Sequence, residues 1–191
     1  MLGKPSLLKR ILRRIFPTVS PYMITRIKDK DGKKIPGTRI SSHTFIDHPG
    51  SLSLAQGVYI GHFNVVEASH GLTIEEGVQI TTHCVITTHS SHQSIRLYGA
   101  SYAGKEMIGY VKGSVTVGKY SFIGPHSTVM PETIIGKGSL VHAYSYVKGE
   151  FPDFSIIGGN PAKVLGDTRT IDRALLEQYP ELNSLYNEWT N

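Results

Sequence analysis

Aliphatic side chains recur at a fixed interval through the second half of the chain. They occupy every sixth position, at Val117, Ile123, Val129, Ile135, Val141 and Val147. A six-residue period matches neither the 3.6-residue period of an α-helix nor the two-residue period of a strand. It is typical of a chain that turns a corner after each short strand and points one aliphatic side chain inward per side, with about 18 residues per three-sided coil. The pattern therefore predicts an all-β protein, a left-handed parallel β-helix with the shape of a triangular prism.

The same interval runs through the first half of the chain, with two irregularities. Leu54, Ile60 and Val66 keep the six-residue step, a two-residue offset follows, and Ile74, Ile80 and Ile86 resume the step. Residues 87–113 break the period, and we expect them to form a loop inserted in the prism. Glycine follows the inward residue in Ile60-Gly61 and Ile123-Gly124, which predicts bends there because glycine tolerates unusual backbone conformations. The predicted division is a basic N-terminal helix and turn over 1–38, the β-helix over 39–166 and a C-terminal helical segment over 167–191.

The composition fits a single globular domain. The chain has 191 residues, 39% of them hydrophobic and 18% charged, which is enough for one core and too few for two ordinary domains. No apolar run approaches the roughly 20 residues that span a bilayer, and the N-terminus lacks the uninterrupted apolar stretch of a signal peptide. The one cysteine, Cys84, is expected in the core and cannot form an internal disulfide. A reducing cytoplasm is the simplest location.

The net charge of +5 is concentrated near the N-terminus. In residues 6–16 four cations lie on one face of a predicted helix and five aliphatic residues on another: Lys9, Arg10, Arg13 and Arg14, and Leu7, Leu8, Ile11, Leu12 and Ile15. Such a basic amphipathic helix either packs its apolar face on protein or lies on an anionic membrane surface. Few aromatic residues are interleaved with the cations, which argues against a nucleic-acid partner.

Two motifs accompany the repeats: the histidine-bearing Thr87-Thr88-His89-Ser90-Ser91-His92 in the inserted loop, and Gly158-Gly159-Asn160-Pro161-Ala162-Lys163 at the end of the repeats. With the six-residue ladder they resemble the hexapeptide-repeat acyltransferases, and most closely the branch of galactoside, maltose, xenobiotic and surface-polysaccharide acetyltransferases. The resemblance covers about two thirds of the chain. It implies a homotrimer with an active site between neighbouring prisms, acetyl-CoA as co-substrate and no metal.

The resemblance also suggests roles for individual residues. It makes His89 the general base, since imidazole titrates near neutral pH and can take the proton of a sugar hydroxyl. His92 is the competitor for that role, and His83 is a more distant one. Asn64 and Glu67 match, loosely, the positions that orient the base or contact the substrate.

The CoA contacts that the resemblance implies lie on the C-terminal coils. Ala143 matches a small residue beside the pantetheine arm, and Lys163 matches a cation that meets a CoA phosphate. Lys148 lies in the region of the family's Thr-Lys pair, although the order here is Val147-Lys148-Gly149. Pro125 also departs from the family pattern and removes one backbone donor.

The acceptor is the most open part of the interpretation. Polar and aromatic residues in 90–112, among them Arg96, Tyr98, Tyr102 and Tyr110, suit a sugar, and a hydroxyl of a glycan or lipid-linked saccharide is the expected acceptor. An amino sugar, a drug or another small amine is the alternative. A metalloenzyme like the γ-class carbonic anhydrases, for which His43 and His48 have the required spacing, and a non-enzymatic scaffold prism are the rival classes.

Overall fold

The computed structural model describes residues 20–104 and 106–190, so the helix predicted over 6–16 lies outside the described residues. Strands are short and follow one another closely: β1 (Met23–Ile24), β2 (Arg39–Ser41), β3 (Phe45–Asp47), β4 (Leu52–Leu54), β5 (Tyr59–Ile60), β6 (Val65–Glu67), β7 (Leu72–Ile74), β8 (Gln79–Ile80), β9 (Val85–Ile86), β10 (His89–Ser90), β11 (Val111–Lys112), β12 (Val115–Val117), β13 (Phe122–Ile123), β14 (Thr128–Val129), β15 (Ile134–Ile135), β16 (Leu140–Val141), β17 (Tyr146–Val147), β18 (Glu150–Phe151), β19 (Ser155–Gly159) and β20 (Ala162–Asp167).

Helices occur in the insertion and at the C-terminal end. They are α1 (Ser94–Tyr98), α2 (Thr168–Gln178) and α3 (Asn183–Thr190), with single 3-10 turns at Pro49–Ser51, Gly99–Ser101 and Pro180–Leu182. Asp167 caps α2 by accepting a hydrogen bond from the backbone N–H of Arg169 at 2.9 Å, which satisfies one of the free donors at the helix start. Among the described residues no helix has the length and apolar character that crossing a membrane requires.

Three parallel sheets form the walls of a prism. Wall 1 has the order β1-β2-β5-β8-β13-β16-β19-β20, wall 2 the order β3-β6-β9-β14-β17 and wall 3 the order β4-β7-β12-β15-β18. Among the described strands of the three walls, the edge strands β1 and β20 of wall 1 pair antiparallel with their neighbours and the others pair parallel. The chain visits walls 1, 2 and 3 in turn on every coil, and the predicted left-handed β-helix is confirmed.

The inward residues of the six-residue ladder form the core. Strand partners stack equivalent residues, as in Ile60 with Ile80 on wall 1 and Ile123 with Val141 on the same wall. Their side chains are fully buried, and Cys84 is buried among them. The first pair is 20 positions apart and the second 18, so the early coils are two residues longer. The extra residues lie where the chain passes from wall 2 to wall 3.

The corners impose two different requirements, close approach of neighbouring coils and positive φ angles, which the sequence pattern did not separate. Glycines after inward residues are needed for close approach, because a Cβ at Gly124 would lie 2.6 Å from the backbone nitrogen of Ala143. Positive backbone φ angles fall on glycines such as Gly57 (71°) and Gly77 (68°) at the corner between walls 3 and 1, and on larger residues such as Phe63 (60°) and Tyr144 (61°) at the corner between walls 1 and 2. On the corner between walls 1 and 2 these residues stack as a column of rings, His43, Phe63, His83, His126 and Tyr144, with centroids 4.8 to 5.6 Å apart.

The insertion leaves the prism between β9 of wall 2 and β12 of wall 3. We call residues 88–114 the excursion. Its two ends pair as antiparallel strands, with His89 opposite Lys112 in β10 and β11, and α1 lies between them. Because the two ends are held together, the excursion projects from one corner and the prism continues directly beyond it. The corner between walls 2 and 3 is thus built from the excursion and from the extra residues of the early coils.

Candidate functional site

His89 occupies the start of the excursion, three residues after the buried Ile86. Its side chain is 35% exposed, and its ring nitrogen Nδ1 lies 3.0 Å from Oε2 of Glu67, whose side chain is only 10% exposed. A carboxylate can only accept at this contact, so the network assigns the proton to Nδ1. Within 20–104 and 106–190 no protein group bonds the other ring nitrogen. In the neutral imidazole, Nε2 is then the nitrogen with the free lone pair.

Glu67 ends β6 and lies in a cluster of donors. Its Oε2 accepts from the backbone N–H of Thr88 at 2.8 Å and from the Thr88 hydroxyl at 2.8 Å, and its Oε1 accepts from the backbone N–H of Ser69 at 2.6 Å. Burial by itself would raise the pKa of Glu67, but the hydrogen bonds from Ser69 and Thr88 outweigh it and lower the pKa from 4.5 to about 2. The partner of His89 is therefore an anion throughout the neutral range.

The extra residues of the longer coil complete the cluster. Ser69 Oγ lies 3.2 Å from His89 Nδ1 and 2.8 Å from His70 Nδ1, while the backbone N–H of His70 donates to the Thr88 hydroxyl at 3.0 Å. The sequence analysis did not single out Ser69, His70 or Thr88 for a role. The available signal was the two-residue offset itself, which marks additional residues at the corner from which His89 departs.

The remaining predicted residues near the base lie apart from this cluster. Asn64 is buried, and its amide donates to the carbonyls of Gly61 at 3.0 Å and Thr81 at 2.9 Å and accepts from the N–H of Cys84 at 2.7 Å. Its hydrogen-bonding groups hold the corner between walls 1 and 2. His92 is exposed, with Nδ1 2.9 Å from Ser90 Oγ. The structure brings Glu67 to His89 and does not bring Asn64 or His92 there.

The predicted CoA contacts fall at two different corners. Ala143 follows β16 at the corner between walls 1 and 2, and Lys163 on β20 pairs with Gly158, which is close to His142 at that same corner. Lys148 follows β17 of wall 2, and so lies at the corner of His89, two strands further along the wall. That separation is about 10 Å, because neighbouring strands lie about 4.8 Å apart. All three side chains are exposed.

Two other features lie outside the cluster. Among the described residues no group of three histidine, cysteine or acidic side chains is arranged to hold a metal ion, and His48 contacts Asp47 at 3.1 Å. A groove of about 1190 Å³ separates the C-terminal helices from walls 3 and 1, lined by residues that include Ile134, Leu175 and Trp189. Neither His89 nor Glu67 lines it, so we place the candidate chemistry at the excursion.

Known proteins share the repeat and parts of the sequence. The family described as "Bacterial transferase hexapeptide (six repeats)" matches residues 114–149. A protein of Mycobacterium tuberculosis named as an acetyltransferase is 29% identical over 140 residues, 73% of this chain and 45% of its own length. WbbJ of Escherichia coli, named as a lipopolysaccharide biosynthesis O-acetyl transferase, is 28% identical over 119 residues, 61% of this chain and 60% of its own. The chain thus spans roughly half to three fifths of these curated relatives.

A solved structure shares the fold. AntD, an N-acyltransferase from Bacillus cereus in complex with dTDP and 3-hydroxybutyryl-CoA, aligns over 77% of this chain and 89% of its own with a TM-score of 0.56 and 20% sequence identity. The narrower assignment to the galactoside, maltose and xenobiotic branch stays a prediction. In its matched repeats and its curated relatives the chain is therefore similar to the hexapeptide-repeat transferases, and it has the left-handed prism in common with AntD.

Proposed function

We propose that the protein is an acetyl-CoA-dependent acetyltransferase that acts on a sugar, with His89 as general base. The observation that carries this proposal is the pair of His89 and Glu67, in which a mostly buried carboxylate lies 3.0 Å from Nδ1 and the imidazole is 35% exposed, so that in the neutral ring Nε2 is the nitrogen with the lone pair. A hydroxyl is a poor nucleophile until a base removes its proton, and a histidine oriented by an anion is suited to that step. The match to the hexapeptide transferase repeats and the names of the curated relatives support acetyl transfer.

The proposed reaction begins at Nε2 of His89. Nε2 accepts the proton of the acceptor hydroxyl as its oxygen attacks the thioester carbonyl of acetyl-CoA. The negative charge of Glu67 stabilises the imidazolium that forms, while Ser69 and Thr88 hold the carboxylate in place. When the tetrahedral intermediate collapses, the carbon–sulfur bond breaks, the sulfur of CoA leaves, and the proton on Nε2 is available to it.

A homotrimer with the site between two prisms is part of the proposal. In one chain His89 and the residues proposed to contact CoA, Ala143 and Lys163, lie at opposite edges of wall 2. A neighbouring copy can present its Ala143 corner to the His89 corner of the first. Wall 2 has an exposed apolar stripe beside His89, formed by Phe45, Val65 and Val85 in register, and burying it against a second copy would favour association.

The acceptor proposed first is a hydroxyl of a glycan or lipid-linked saccharide, as the name of WbbJ suggests. An amine is the second candidate, because AntD is named as an N-acyltransferase and a relative 24% identical over 118 residues, from Escherichia coli, is named as a dTDP-4-amino-4,6-dideoxy-D-glucose acyltransferase. The same nitrogen would remove the proton of an ammonium group before attack. The chemistry of the pair is compatible with both acceptors.

Turnover of acetyl-CoA against a panel of saccharides and amino sugars tests the function. We expect CoA release that depends on one acceptor class, and a loss in His89→Ala of about 10² to 10⁴-fold in kcat, the usual contribution of a general base. His92→Ala is the matched control, since it removes the other imidazole of the excursion and leaves the pair with Glu67 intact. Full activity in His89→Ala would contradict the assignment of the base, and an inactive wild type across the panel would contradict the proposed reaction class.

A further inference from the structure

A tyrosine from the far end of the excursion lies flat against the imidazole of His89. The ring centroids of Tyr110 and His89 are 5.6 Å apart and the rings are 9° from parallel. His70 approaches edge-on, with its centroid 5.8 Å from that of His89 and an angle of 60°. Glu67 holds only Nδ1, and an imidazole held at one atom can still tilt about that contact. A stacked ring on one face restricts the tilt and so determines where Nε2 points.

The segment that carries Tyr110 is attached on both sides of the corner through Glu106. Glu106 Oε1 lies 2.9 Å from Nε2 of His70, which belongs to the prism. Glu106 Oε2 pairs with the ammonium group of Lys112, which is two residues beyond Tyr110 and opposite His89 in the β10–β11 pair. The carboxylate of Glu106 therefore joins the excursion to the extra residues of the early coil. We call this set of contacts the Glu106 tether.

We propose that Tyr110 is a positioning residue for His89 and that the Glu106 tether keeps Tyr110 against the imidazole. The inference rests on the proposed function, because the direction of Nε2 matters for turnover only if His89 is the base. Stacking uses the ring of Tyr110 and not its hydroxyl, so a phenylalanine can replace it. Catalysis requires the base within hydrogen-bond reach of the acceptor proton, and small displacements of a reacting group lower the rate strongly.

Steady-state kinetics of three variants test the role of the ring. Tyr110→Ala is expected to lower kcat by about tenfold or more, with the acceptor KM changing much less, and Tyr110→Phe is expected to recover most of that loss. Ile108→Ala is the matched control, since its side chain is 78% exposed in the same segment, and it should keep the kcat of the wild type. A wild-type kcat in Tyr110→Ala, or an equal loss in Tyr110→Phe or Ile108→Ala, would overturn the proposal.

A double-mutant cycle tests the tether. If Glu106 acts through Tyr110, Glu106→Ala lowers kcat, and the double variant Glu106→Ala/Tyr110→Ala is no slower than Tyr110→Ala alone, because groups that act through one contact are not additive. Losses that multiply would show that Glu106 acts by another route and would overturn this part of the proposal.

Nuclear magnetic resonance of the His89 ring separates this inference from the proposed function. In the wild type and Tyr110→Phe the ring nitrogens should report one tautomer, with the proton on Nδ1, and the ring protons should show the shift caused by a stacked aromatic. Tyr110→Ala should lose that shift and broaden the ring signals as the imidazole tilts about the Glu67 contact, while the nitrogen signals keep the tautomer with the proton on Nδ1. Unchanged His89 signals would overturn the inference whatever the activity. Changed signals together with full activity in His89→Ala would overturn the proposed base alone.

Discussion

At the scale of single residues, the site depends on a carboxylate that stays charged although it is buried. Glu67 is costly to bury without partners, since a charge removed from water loses its hydration. Backbone and hydroxyl donors of Ser69 and Thr88 replace that hydration. Because the donors are themselves fixed at the corner, Glu67 can hold the Nδ1 proton of His89 in one direction. Stability and the orientation of the base are thus linked at one residue.

This link predicts how the stability depends on pH. Folding lowers the pKa of Glu67 from 4.5 to about 2, so its contribution to the free energy of unfolding is complete above the unfolded pKa and is lost as the pH falls from about 4.5 to about 2. The contribution is on the order of 3 kcal/mol. Glu67→Gln should flatten the stability profile over that interval, measured by denaturant unfolding at successive pH values. Glu181→Gln, at an exposed turn, is the control, and an identical acid slope in wild type and Glu67→Gln would contradict the prediction.

At the scale of the coil, neighbouring turns approach closely beside the inward residues. The backbone of one coil passes so near to the next that no side chain fits, and Gly61 and Gly124 occupy such places, where a Cβ would lie 2.1 Å from the carbonyl oxygen of Thr81 and 2.6 Å from the nitrogen of Ala143. The requirement concerns space between coils. A helix or an isolated strand would not impose it, because the crowding atoms come from residues about 20 positions away.

Glycine substitutions should separate close approach from the general effect of adding a methyl group. Gly124→Ala is expected to lower the free energy of unfolding by roughly 1 to 3 kcal/mol, the usual cost of overpacking. Gly50→Ala is the matched control, because a Cβ there meets no atom within 4 Å and its φ is not in the left-handed region. Urea unfolding of both variants measures the difference. Equal stability of Gly124→Ala and Gly50→Ala would show that the coils can separate at no cost.

At the scale of the whole molecule, the prism alone does not bring the proposed groups together. The proposed base lies at one edge of wall 2 and Ala143 and Lys163 lie at the other, with the exposed stripe of Phe45, Val65 and Val85 between them, whereas Lys148 lies on the side of His89. The C-terminal helices are attached elsewhere, where Trp189 packs near Tyr120 with centroids 4.9 Å apart. Among the described residues, the C-terminal helices thus leave the outer face of wall 2 uncovered.

The molecular mass of the protein in solution tests the proposed homotrimer. Light scattering should give three times the 21.0 kDa of one chain, and Val65→Glu should shift the protein towards the monomer and lower its activity, because it places a charge in the apolar stripe. Ser53→Glu adds the same charge to the outer face of wall 3, where Ser53 is exposed, and should leave the mass unchanged. A monomeric wild type, or a trimeric Val65→Glu, would contradict the role of wall 2.

The order of the polar and apolar residues determined the architecture by itself. A six-residue recurrence of aliphatic side chains has only one simple explanation, since each must point inward from a different side of a coil, and Ile60, Ile123 and Val141 are all buried as that pattern predicts. The motif after Ile86 also made His89 a candidate for the site, and the family resemblance made Glu67 one. The buried positions recur at a short, fixed interval, so the sequence pattern alone predicts them.

Only the tertiary structure decided which candidates meet. Glu67 reaches His89, whereas Asn64 is engaged by the backbone of the neighbouring corner. Ser69, His70 and Tyr110 join the site through contacts between residues 18 or more positions apart, and these depend on the longer early coils and on the pairing of the two ends of the excursion. Hydrogen bonds and ring contacts over such separations depend on how the coils stack. A repeat along the sequence therefore does not predict them.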